Sequence, residues 1–163
     1  MILCFLEGLV LSFILLMVCV INIRNGPVGG VHYYEQPVQD RVVELGLISR
    51  EEIKRNRNLS ALVLMAAMVI SAPLMAFGIN GASGFREGFI QLTVMYMVCG
   101  LFDRIFVDWY WVGHTGAWII PGTEDLMPYI GRKSWTQKIG GTLILYPAMA
   151  ALISLICTAV LKR

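Results

Sequence analysis

Asp103, Arg104 and Asp108 interrupt the apolar run of residues 89–112. Charges inside such a segment are retained where a neighbour, a proton or water satisfies them, so the triplet marks a candidate polar site. Its chemistry would be that of an acid or base, a metal ligand or, through the guanidinium, a grip on phosphate. Arg104 and Asp108 are four positions apart and share a helical face, so they are expected to pair. Asp103 projects ~100° away from Arg104 around an α-helix axis and is expected to need a different partner.

A second set of chemically capable residues lies in the connections. His32, Glu35 and His114 are candidate ligands for a divalent metal such as zinc, iron or manganese, with Glu124 and Asp125 nearby in the same two loops. The spacing is loose, and no H-E-x-x-H supports it. The alternative reading makes His114 a hydrogen-bonding residue at a membrane interface, and Glu124 with Asp125 the acidic first turn of a short helix capped by Thr123. Arg132 and Lys133, together with Arg104, His114 and Trp118, are candidate contacts for a lipid headgroup. Arg132 and Lys133 stand near the expected start of a helix, where free amides favour an anion.

The elements that carry these residues follow from composition. Hydrophobic residues make up 57% of the 163-residue chain against 15% charged, with a mean hydropathy of +0.69, which is the balance of an integral membrane protein. A hydrocarbon core takes ~20 residues of helix. Residues 2–23, 59–79, 89–112 and 139–161 meet that length, which predicts an all-α single domain of four transmembrane helices in two hairpins. The long connections 24–58 and 113–138 are expected to be partly helical. Residues 2–23 have no preceding Lys or Arg and no small-x-small cleavage site, so they read as a retained helix.

Arg24, Arg41, Arg50, Lys54, Arg55, Arg57, Arg132, Lys133 and Lys138 fall in the two long loops, against Arg86, Lys162 and Arg163 elsewhere outside the spans. The excess places those loops in the cytoplasm and both termini outside. A multi-pass protein of a bacterial plasma membrane is the expected setting. If the third helix enters the hydrocarbon near Phe89, Asp103 lies ~21 Å along it and ~9 Å from the loop-side boundary. No basic stripe of the kind that binds nucleic acid is present. Membrane lipids are the expected partners, with a membrane-protein partner or a second copy also open.

Within the first loop, Val38, Val42 and Leu45 recur at helical spacing and Gly46 is placed to end that short helix. Ser49 and Glu52 form a capping box that starts a charged helix able to run into the second span. Ser134 with Gln137 is expected to open the fourth span in the same way. Ala67, Ser71, Ala72 and Ala76, and Ala150, Ser154 and Thr158, form small-residue ladders of the kind that let membrane helices approach closely. Pro73 and Pro147 are expected to kink or loosen their helices. Trp109, Tyr110 and Trp111 match an interfacial aromatic belt. Cys4, Cys19, Cys99 and Cys157 read as packing residues, with a Cys4–Cys157 disulfide conceivable on the outer face.

Gly100-Leu-Phe-Asp103-Arg104 followed by Val107-Asp108-Trp109 resembles part of the G-N-x-I-D-R…V-x-D-F signature of lipoprotein signal peptidases, which are also four-helix membrane proteins. That resemblance implies that Asp103 belongs to a water-activating aspartic dyad. It spans about ten residues, lacks the Asn after the glycine and the second F-N-x-A-D motif, and concerns a family acting on the outer face; the chain is not assigned to it. Three function classes follow from the residues. The first is a binding or accessory protein with a headgroup or partner site at the cytoplasmic interface. The second is an interfacial enzyme acting on a lipid or lipid phosphate through Asp103 or Asp108. The third is a small transporter coupled to Glu7, which otherwise pairs with Arg86.

Overall fold

The computed structural model describes residues 1–161; the Lys162 and Arg163 of the charge count lie outside the described residues. The chain is 83% helical, and no strand occurs among the described residues. Four helices are long and apolar enough to cross a membrane: α1 (Ile2–Ile23), α3 (Arg50–Ile79), α4 (Phe85–Val112) and α5 (Arg132–Leu161). A short amphipathic helix, α2 (Gln36–Glu44), lies in the first loop and buries Val38 and Val42. Gly46, with φ of 68°, takes the left-handed conformation that ends it.

The spans exceed their expected bounds because an apolar window misses polar turns that remain helical. At the start of α3 the Ser49 hydroxyl accepts the Glu52 amide, the first half of the expected box. Glu52 turns instead to Arg55, and the charged turns continue without a break into the apolar ones. The start of α5 departs further from expectation. That helix begins at Arg132, so Ser134 lies inside its first turn and donates to Glu35 at 2.7 Å rather than capping with Gln137.

Helix α4 is central and packs along α1 and α5. Glycine allows the close approach. A Cβ on Gly100 would sit 2.4 Å from the Tyr146 ring and 2.6 Å from Thr142 of α5, and one on Gly8 would sit 2.7 Å from Val98. Ala150 and Ser154 are fully buried on the α5 side, where Ser154 donates to the Phe85 carbonyl at 2.8 Å. The outward faces are apolar: Ile144 is 72% exposed, Leu62 66% and Phe13 59%. Apolar surface of that extent marks a membrane or partner interface.

Three stretches widen to π-helix: Ala67–Ser71 and Leu74–Ile79 flanking Pro73, and Asp103–Val112 at the end of α4. Pro73 therefore loosens its helix as expected, whereas α5 stays α-helical through Pro147. Neighbours take the carbonyls that the π turns disturb. Tyr96 donates to the Met68 carbonyl at 2.6 Å, Trp135 Nε1 to Arg104 at 3.0 Å, and Thr115 to Trp111. All four cysteines are free thiols, so the conceivable Cys4–Cys157 bridge is not formed.

At one end of the bundle the two long loops fold onto each other. Tyr34 donates to the Trp118 carbonyl at 2.9 Å, Arg41 pairs with Asp125 at 3.2 Å, and Glu35 accepts from Gly131 N at 3.1 Å. The opposite end carries Glu7, buried, which accepts from Asn80 at 2.8 Å. Asn80 rather than Arg86 is thus its partner, because the tight turn after α3 brings the amide over the start of α1.

Candidate functional site

The π-helical end of α4 builds the site. Its wider turn and the forked guanidinium let Arg104 hold both acids: Nη1 donates to Asp108 and Nη2 to Asp103. The expectation that Asp103 stands too far round the axis is corrected, because it assumed α-helical spacing and a single contact per arginine. Lys138 of α5 adds a contact to Asp108 at 3.3 Å. Two acids and two bases therefore balance within the cluster. Asp108 is 8% exposed and Lys138 34%, so one end is sealed and the other reaches toward the loops. By sequence alone Lys138 is only one of the loop charges. Its four-residue register with Ser134 and Thr142 on α5 was the available signal.

The cluster forms one wall of a cavity of about 500 Å³ between α1, α3, α4 and α5. Leu11, Leu15, Met68, Val107, Val112 and Met149 supply apolar lining. His32 and Trp118 reach the same cavity from the two loops. Trp118, a candidate headgroup contact by sequence, is 1% exposed; it stands perpendicular to Trp111 with ring centroids 5.0 Å apart, and its ring rests where Gly30 leaves no Cβ. Of the expected aromatic belt, Trp109 and Tyr110 do face outward, half exposed, while Trp111 turns in to pack on Trp118.

The remaining candidates do not converge. His114 is exposed, with Nδ1 donating to the Trp109 carbonyl at 2.7 Å. Glu35 is held by Ser134 and Gly131, whose hydrogen bonds lower its carboxyl below the usual range. Arg132 and Lys133 are exposed on the first turn of α5, away from the cavity lining. Among the described residues, no three His, Cys, Asp or Glu side chains come together at metal-holding geometry, so the His32, Glu35 and His114 set is not assembled. Glu35 is instead tied to the start of α5 through Gly131 N and the Ser134 hydroxyl. Thr123 does precede a short helical turn, Glu124–Leu126, but its hydroxyl donates to the Ile120 carbonyl at 2.8 Å instead of capping.

His32 has neither ring nitrogen in a hydrogen bond. Burial pushes its pKa down to about 4; the nearby Gly29 carbonyl acts in the opposite direction without reaching hydrogen-bonding geometry, and Arg57 adds to the depression. The imidazole is therefore neutral at pH 7. The folded state binds fewer protons than the unfolded chain between the ordinary value of 6.5 and about 4. Stability is complete above that window and is lost as pH falls through it. We expect about 1–2 kcal/mol of acid destabilisation after allowance for partial exposure. Detergent-solubilised protein should show this as a falling melting temperature from pH 7 to 4.5, and His32→Phe should flatten the profile. An unchanged slope in that variant would assign the acid lability elsewhere.

Fold and site thus define an all-helical protein with four membrane-length helices and a charge-balanced cavity at its loop-bearing end. No protein-family model, curated protein or solved structure matches the chain.

Proposed function

We propose that the chain is a multi-pass membrane protein that holds a membrane amphiphile in the cavity beneath its packed loops, acting as a binding or accessory protein. The single supporting observation is the cavity itself: a mostly apolar chamber with a compact charged cluster at one end, the chemistry of a polar head on an apolar body. The excess of Lys and Arg in the two loops favours a cytoplasmic position for them, with both termini outside a bacterial plasma membrane. Arg132 and Lys133, exposed beside that end, meet anionic headgroups at the surface.

Native mass spectrometry of the gently extracted protein tests this reading. The wild type is expected to carry about one amphiphile per chain, and Leu64→Trp, which fills the chamber, to lose it while its helical content persists. Equal retention by both proteins would count against a cavity ligand. The enzyme reading draws on one observation, that Asp103 and Asp108 both face the chamber. Both are committed to Arg104, however, and neither is left as a free base. Lipid turnover by the wild type that disappears in a folded Asp108→Asn variant would shift the assignment to catalysis. Glu7, bound to Asn80 and absent from the cavity lining, gives the transporter reading no support.

A further inference from the structure

Seven buried side-chain nitrogens or oxygens lack a hydrogen-bond partner among the described residues, and four of them belong to three residues of the cavity wall. These are both ring nitrogens of His32, Nε1 of Trp118 and Nε of Arg104. Buried polar atoms are ordinarily satisfied, so such a concentration around one chamber marks where a partner belongs. Their chemistry restricts that partner. Indole and guanidinium nitrogens only donate, and a neutral imidazole donates once and accepts once, so the ligand must present acceptor oxygens.

Charge narrows it further. The cations of the wall, Arg104 and Lys138, are matched by Asp103 and Asp108. A phosphate entering the chamber would find no surplus positive charge and would face two carboxylates, whereas a carbonyl oxygen carries no such penalty. The four nitrogens are closed to water in this conformation, so binding through them requires the His32 and Trp118 rings and the Arg104 side chain to turn toward the chamber.

Resting on the cavity-binding reading, we infer that the ligand is a neutral, carbonyl-bearing lipid-soluble molecule, such as a quinone or a diacylglycerol, whose oxygens accept from Trp118, Arg104 and His32. Its apolar body lies along Leu11, Leu15, Met68, Val107 and Met149.

The full chain in detergent micelles is titrated with a decyl-substituted benzoquinone, with dioctanoylglycerol and with dioctanoyl phosphatidate, and bound fractions are read by native mass spectrometry. At least one neutral probe is expected to bind about tenfold tighter than phosphatidate, and Trp118→Phe and His32→Phe are each expected to weaken it about tenfold. His32→Gln keeps one donor and one acceptor and should hold affinity within about threefold of the wild type. It also carries the test should His32→Phe fail to fold. Binding of only the quinone or only the glyceride identifies the source of the carbonyl and supports the inference in either case. Phosphatidate binding as tightly as the neutral probes, or neutral binding indifferent to Trp118→Phe and His32→Phe, overturns the inference while leaving a cavity ligand in place. If none of the three probes binds and Leu64→Trp retains native lipid as the wild type does, the cavity reading fails as well.

Discussion

Arg104→Met is expected to destabilise the protein by about 3–5 kcal/mol, the cost of leaving buried carboxylates without their cation. The size follows from the geometry. Arg104 is the common partner of Asp103 and Asp108, and Lys138, one-third exposed, reaches only Asp108. Its loss strands Asp103 entirely, in a segment where water is scarce. The same reasoning predicts recovery: adding Asp103→Asn and Asp108→Asn to Arg104→Met removes the stranded charges and should restore most of the lost stability. Thermal unfolding in detergent, followed by circular dichroism, gives both values. A cost below about 1 kcal/mol for Arg104→Met would mean that the cluster is wet and contributes as surface pairs do.

Gly100→Leu is the second large effect, expected to cost at least about 3 kcal/mol because it overfills a contact that already lacks room for a methyl group. The obstacles are the Tyr146 ring and Thr142 of α5, so the substitution forces α4 and α5 apart and displaces a ring that also walls the cavity. Gly140 is the control. It lies in α5, a methyl group added there would meet no atom within 4 Å, and Gly140→Ala should be neutral or stabilise by up to ~1 kcal/mol through helix propensity. Similar melting temperatures for the two variants would show that the α4–α5 seam is looser than the Gly100 contacts imply.

Much of the architecture is legible in residue types and their order. Hydropathy alone marks four spans, since ~20 consecutive apolar residues satisfy a length requirement that few other segments meet. Gly46 and Ser49 announce a helix end and a helix start because their conformational and hydrogen-bonding preferences are local. The pairing of Arg104 with Asp108 is legible for the same reason, being a contact within one helix.

The contacts that make the site are of another kind. Asp103 joins Arg104 because α4 widens into a π-helix whose carbonyls are satisfied by Trp135, Thr115 and His114, two of them from beyond the helix and one from α5. Lys138 reaches the cluster because Gly100 lets α5 close on α4, and Trp118 enters the cavity because Gly30 leaves space for its ring. Glu35 is held at the start of α5 because Ser134 and Gly131 donate to it. Residue type and spacing by themselves determined that four apolar helices exist and that one carries charges. Which of those charges meet, and which loop residues face them, was decided by the tertiary structure, because such contacts join residues tens of positions apart and depend on how closely one backbone can approach another.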